Sequence, residues 1–128
     1  MKQKFFRCAH CGNIIAMVEE SGVPVMCCGQ KMEEIIPNTT DGATEKHVPV
    51  IFQDDNIVTV KVSTVEHPMS IDHHISWISI ETKKGNQRKV LSPGQIAWAE
   101  FAVVDGDQVL AAYAYCNLHG LWKSEEVR

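Results

Sequence analysis

Val109-Leu-Ala-Ala-Tyr-Ala-Tyr-Cys116-Asn-Leu-His119-Gly120 is the stretch whose reading decides the fold. Its first eight residues alternate as a strand does, with Leu110, Ala112, Ala114 and Cys116 on one face. The strand then runs into a tight Cys-x-x-His-Gly turn, so a pair of metal-type ligands stands at its end. Outward from it the pattern repeats. Val58, Val60 and Val62 alternate with Thr59 and Lys61, Ile75 and Trp77 share the parity of His73, and a long apolar stretch runs from Ile96 to Val104. Asp54-Asp55-Asn56, Lys84-Gly85-Asn86, Ser92-Pro93-Gly94 and Asp105-Gly106-Asp107 separate these runs as turns. Six or seven short strands at such spacing predict an antiparallel sandwich or barrel, with no sustained helical periodicity and no internal repeat.

The 128 residues suffice for one ordinary domain or two small ones, and 45% apolar with 22% charged is a globular balance. No run approaches a membrane span, and Met1-Lys-Gln-Lys-Phe-Phe-Arg-Cys8 lacks an apolar signal core. A net charge of −4 has the wrong sign for a general nucleic-acid binder. The expectation is a cytoplasmic protein with no membrane and no nucleic-acid partner.

Residues 1–36 form a unit too short to fold on an apolar core alone, and its Phe5, Phe6, Ile14, Ile15, Met17, Val18, Val23 and Val25 suit two short hairpins. Residues 37–44, Pro-Asn-Thr-Thr-Asp-Gly-Ala-Thr, read as a linker, and 45–128 as the second domain. The unit carries Cys8-x-x-Cys11 and the adjacent pair Cys27-Cys28. In a reducing compartment four thiolates point to a closed tetrahedral site for zinc or iron rather than to two disulfides. A closed site is structural or passes single electrons. Adjacent cysteines strain the angles at a metal, and the spacing leans toward iron. His10, between two of the cysteines, reads as a solvent-facing loop residue.

The remaining histidines, His47, His67, His73, His74 and His119, lie beyond the linker with Cys116. Three metal chemistries compete for them. A cupredoxin uses a β-sandwich and a late Cys-x-x-His, but it wants a methionine after that histidine and none follows Met69. A two-His, one-carboxylate oxygenase leaves Cys116 unused. Iron with several imidazoles and one thiolate uses them all. Trp77, Trp98 and Trp122 read as core or rim packing, with Trp122 beside the ligand turn placed to shape the pocket, and Lys83-Lys84 as a solvated turn.

Six motifs in order carry a family resemblance: Cys8-Ala-His-Cys11-Gly-Asn, Val25-Met-Cys27-Cys28-Gly, Glu45-Lys-His47-Val-Pro-Val, His67-Pro-Met, His73, and Cys116-Asn-Leu-His119-Gly-Leu-Trp122. The chain resembles the two-iron desulfoferrodoxins over its whole length. The resemblance implies an all-β protein, a desulforedoxin-like metal domain followed by an immunoglobulin-like antiparallel β-sandwich. It implies one iron on Cys8, Cys11, Cys27 and Cys28. A second would have His47, His67, His73 and His119 in an equatorial plane and Cys116 as axial ligand. It gives Glu45 the open sixth position in the oxidised state and Lys46 the place beside the open face. His74 stands where the family usually has an aromatic residue, and strand parity turns it away from His73.

The function implied is superoxide reduction: superoxide, one electron and two protons give hydrogen peroxide. Lys46 would attract the anion and organise a proton-delivering water, and the Cys116 sulfur would accept backbone hydrogen bonds near Leu118 and His119. Re-reduction would come from an external donor such as rubredoxin, with the four-cysteine iron centre as relay or structural remnant, in a homodimer. An electron carrier without superoxide chemistry, cupredoxin-like or two-centred, is the alternative.

Overall fold

The computed structural model describes residues 2–40 and 42–128, and of Glu45 the backbone alone. The chain divides into two compact units, Met1–Ile36 and Pro37–Arg128.

The first unit holds β1 (Phe5–Arg7), β2 (Ile14–Ala16), β3 (Met26–Cys27), β4 (Gln30–Lys31) and β5 (Glu33–Glu34). β1 pairs antiparallel with both β2 and β5, and β3 forms a hairpin with β4. The two expected hairpins are there. The sequence reading missed β5, whose two glutamates carry no apolar alternation. Only Phe5, Cys8 and Met32 are buried among the described residues of this unit, and one of the three is a candidate ligand. That is too little apolar surface to offset the ordering of some 36 residues.

The second unit begins with a single helical turn, α1 (Thr44–His47), which no periodicity in the sequence announces. Seven strands follow: β6 (Val50–Asp54), β7 (Ile57–Lys61), β8 (Ile75–Thr82), β9 (Gly85–Val90), β10 (Trp98–Ala102), β11 (Val109–Cys116) and β12 (Gly120–Ser124). They form a three-stranded sheet in the order β10-β7-β6 and a four-stranded sheet in the order β12-β11-β8-β9, with antiparallel pairing throughout. First, second and fifth strands against third, fourth, sixth and seventh is the partition of an immunoglobulin-like sandwich. Ile51, Val58, Val60, Phe101, Ile78, Ile80, Ala112, Ala114 and Cys116 meet in its core.

Two expectations of strand parity fail, both in the β8–β11 pair. Val109 faces Thr82 and Ala111 faces Glu81, which leaves Leu110 as an extra residue. Val109 therefore turns into the core, and Leu110 is 39% exposed. At the other end Tyr115 faces Trp77 and Cys116 faces Ile75, leaving Ser76 as the extra residue. Ile75 enters the core, while Trp77 crosses to the outer face and stacks on Tyr115 at 5.7 Å and 4°. Each bulge shifts the phase of an alternation by one residue. Trp122 is buried, whereas Trp98 lies at the surface under the Lys61 ammonium, 5.3 Å from the ring centroid.

Residues 37–44 do more than connect. The Asn38 side chain donates to the Lys123 carbonyl (3.1 Å) and accepts from the Lys123 N–H (2.9 Å), and its own N–H donates to the Leu121 carbonyl. Thr40 donates its hydroxyl to the His119 carbonyl. The segment is thus a strap along β12 that delivers the chain into α1. No helix among the described residues is long and apolar enough to cross a membrane.

Candidate metal centres

In the first unit the sulfurs of Cys8, Cys11, Cys27 and Cys28 lie within 4.8 Å of one another, and none of these thiols forms a disulfide. Cys8 and Cys11 flank a turn closed by hydrogen bonds from the Gly12 N–H to the Cys8 carbonyl and from the Cys8 N–H to the Asn13 carbonyl, both 2.9 Å. The adjacent pair is accommodated by the backbone. Cys27 ends β3, and Cys28 and Gly29 form the two-residue turn to β4 with φ of 53° and 70°. A left-handed cysteine is uncommon, and this one brings two neighbouring thiols to one point without alternating faces. The Cys11 N–H pulls the Cys8 thiol down to about 6, whereas the neighbouring Cys11 sulfur and burial push Cys28 up to about 12. Four crowded thiols cannot all ionise without a cation; as thiolates they make a complete tetrahedral donor set.

The second group is assembled from four places. His47 ends α1, His67 and His73 lie in the loop between β7 and β8, and Cys116 ends β11; their donor atoms lie within 4.8 Å of one another. His119, in the turn before β12, joins them with Nδ1 3.1 Å from His47 Nε2 and 3.7 Å from Cys116 Sγ. Taken in the order 47, 67, 73, 119, consecutive ring centroids are 4.8, 4.7, 5.1 and 4.8 Å apart. The diagonal from His47 to His73 is 6.5 Å, close to the √2 ratio of a square. Neighbouring rings meet edge to face at 72° to 80°. Four imidazoles thus surround one space as a pinwheel.

Their protonation suits a cation. His47 Nδ1 and His67 Nδ1 each lie 2.7 Å from a backbone carbonyl, of Ala43 and of Pro68, which fixes the N–H there and leaves each Nε2 lone pair facing inward. His67 Nε2 and His73 Nε2 are buried without a hydrogen-bond partner, two orphaned atoms that a metal ion would satisfy. Burial, reinforced by the neighbouring imidazoles, lowers His67 to about 4 and also lowers His73, so both stay neutral near pH 7. Cys116 is fully buried; burial pushes its thiol up, and the N–H groups of Leu118 and His119 pull it partly back. Those are the amides expected from the sequence.

Lys46 is exposed, and its charge is among those that hold His73 neutral. Glu45 has its backbone in α1, and its side chain lies outside the described residues. His74 turns back onto its own loop, with Nδ1 3.0 Å from the Ser70 carbonyl and 3.1 Å from that of Ile71. The reason differs from the expected one: β8 begins only at Ile75, so no strand parity governs His73 and His74.

A family model described as the N-terminal domain of desulfoferrodoxin matches residues 1–35, and one described as desulfoferrodoxin matches residues 39–125. The chain belongs to the desulfoferrodoxin family. It is 43% identical to the desulfoferrodoxin of Nitratidesulfovibrio vulgaris over 122 residues, 95% of either chain. It is 46% identical to a desulfoferrodoxin homolog of Archaeoglobus fulgidus, covering 93% of this chain and 94% of that one. Among solved structures, the superoxide reductase from Treponema pallidum matches with a TM-score of 0.83 and 36% identity, over 97% of this chain and 99% of that one.

Within this family member, sequence reasoning placed Trp122 beside the ligand turn as a residue that shapes the pocket, and passed over Gly42. Trp122 stacks on His47 at 4.9 Å and donates its indole N–H to the His119 carbonyl at 3.1 Å. Gly42, in the strap, lies so close that a Cβ there would meet His47 Cε1 and Trp122 Cζ2, each at 3.2 Å. Any side chain here would force the His47 or Trp122 ring to give by a few tenths of an ångström. Gly42→Ala is expected to push the His47 ring out of the square, lowering metal affinity at the second group by about 10-fold. The first group supplies the internal reference, and metal titration of the variant checks this result.

Proposed function

We propose that this chain is a superoxide reductase with two mononuclear iron centres, the four-cysteine group holding one and the group of four histidines and Cys116 the other. The observation that carries the reading is the square of four imidazoles with a buried thiol joined to it. Five protein donors of this kind leave one position for a small anion. Ferrous iron held there supplies the electron in the net reaction of superoxide with one electron and two protons to give hydrogen peroxide.

The protein's own residues set the conditions. His47, His67, His73 and His119 would hold the iron through their ring nitrogens and Cys116 through its sulfur, the thiolate's charge moderated by the N–H groups of Leu118 and His119. One thiolate against a divalent ion leaves a single local positive charge in a chain whose net charge is −4. Lys46 adds to that local field, draws superoxide in and holds the water that protonates it. Glu45, its neighbour in the sequence of α1, would be the carboxylate available to an oxidised iron.

An external one-electron donor of the rubredoxin class restores the ferrous state, and the four-cysteine centre either relays that electron or is structural. The reading includes a homodimer, in keeping with the exposed Val18, Val23 and Met26 of the first unit, and a cytoplasmic site, in keeping with five unpaired thiols. The test is the reaction of reduced protein with a known dose of superoxide, with the peroxide counted. Lys46→Ile is expected to slow the bimolecular step by about 10-fold at low salt and to flatten its ionic-strength dependence. Stopped-flow rates across a salt series read this directly, and an unchanged profile removes the steering role.

A further inference from the structure

Asn117 lies between two proposed ligands in the Cys116–His119 turn, and its side chain is exposed, so core packing does not account for it. Its hydrogen bonds all run to one loop. The Asn117 N–H donates to the His74 carbonyl at 3.1 Å, Oδ1 accepts from the His74 N–H at 2.8 Å, and Nδ2 donates to the Asp72 carbonyl at 2.9 Å. These partners are the residues on either side of His73.

That loop has its own internal fastening. The Ser70 hydroxyl lies 3.1 Å from both the N–H and the carbonyl of His73, and the Ser70 N–H donates to the same carbonyl at 2.9 Å. Ser70 therefore fixes the shape of residues 70–73 but not their place on the sandwich. β8 begins only at Ile75, so His73 lies outside the strand ladder. His73 is also less embedded than His47 and His67, which are each 2% exposed. A link from this loop to the turn carrying Cys116 and His119 is what Asn117 supplies. The job calls for an amide: one group must accept from an N–H and donate to a carbonyl, and a carboxylate offers only the first.

We propose that Asn117 is a positioning residue that clamps His73 to the frame carrying Cys116 and His119, and so holds the fourth corner of the imidazole square. This rests on the reading of that group as an iron centre. The test uses the full chain loaded with iron at both centres. Asn117→Ala is expected to release iron from the second centre to a chelator about 10- to 100-fold faster, the range found when partners outside the ligand shell are removed. Release from the four-cysteine centre should be unchanged, the sulfur-to-iron absorption of the oxidised second centre should move, and the metal-free chain should lose hydrogen-exchange protection at the His74 amide. Asn117→Asp keeps the acceptor for the His74 N–H and loses the donor to Asp72, so its release rate should fall between the two. If the alanine chain does not fold, the aspartate chain decides: release faster than wild type from the second centre alone supports the clamp and wild-type release overturns it. Wild-type release and an unmoved absorption band in the alanine chain likewise overturn it. Neither readout involves superoxide, so a wild-type chain that binds iron yet leaves superoxide untouched would end the functional reading and leave the clamp standing.

Discussion

Cys116→Ser is expected to cut the iron content from two per chain to one and to abolish the sulfur-to-iron absorption of the second centre. Cys116 is fully buried at the end of β11, where a serine hydroxyl would stay protonated and neutral. The donor set would then be four neutral imidazoles and a poor oxygen ligand, with the N–H groups of Leu118 and His119 facing no anion. Reactivity toward superoxide should fall by more than the roughly 100-fold that loss of an outer partner reaches, because a ligand itself is gone. The sandwich should survive. A buried, imperfectly paired hydroxyl costs about 1–3 kcal/mol, against a usual domain stability of about 5–15 kcal/mol. Elemental analysis and the optical spectrum of the oxidised variant check the result, and two irons with an intact band would remove Cys116 from the ligand set.

Stripping the metal from the first unit has an equally large expected effect, on folding rather than chemistry. Only Phe5, Cys8 and Met32 are buried there among the described residues. Without an ion the neighbouring Cys11 sulfur and burial push Cys28 up to about 12, so the four thiols do not settle together as thiolates. A structural metal in a domain of this size contributes on the order of 10 kcal/mol, more than so small a core can replace. Chelation, or Cys8→Ser, should therefore unfold β1 to β5 and leave β6 to β12 intact. Hydrogen exchange separates the two cases. Amides such as Ile35, which donates to the Phe5 carbonyl at 2.8 Å, should lose protection, while those of β8 and β11 keep theirs. Retained protection at Ile35 would show that the unit folds without its metal.

Much of this was legible in the sequence because it rests on spacing. The alternation in 58–62 and 109–116 and the turn clusters between runs lead to six or seven short strands, of which the second unit has seven, and two thiol pairs in a short unit lead to a tetrahedral donor set. What was not legible depends on phase or on distant partners. A period-two reading assumes one phase along a strand, so the bulges at Ser76 and Leu110 reversed the expected places of Trp77 and Leu110. The adjacent Cys27 and Cys28 were awkward on paper because only the backbone reveals the left-handed turn that brings their sulfurs together. Asn38, Thr40 and Gly42 looked like linker composition. Their work is done against β12, His47 and Trp122, more than 70 residues away for Asn38 and Thr40. His74 was read as turned from His73 by a parity rule that does not apply in a loop, since β8 begins only at Ile75.

The most direct test of the superoxide reductase reading is a stoichiometry. Fully reduced protein is mixed with a limiting dose of superoxide under anaerobic conditions, and peroxide, dioxygen and the oxidation of both centres are counted together. The expected result is one peroxide for each superoxide, one iron oxidised for each (at the second centre, or at the four-cysteine centre where that relays its electron), and no dioxygen. One peroxide for every two superoxide with dioxygen released, or superoxide that decays only at its spontaneous rate, would contradict the account.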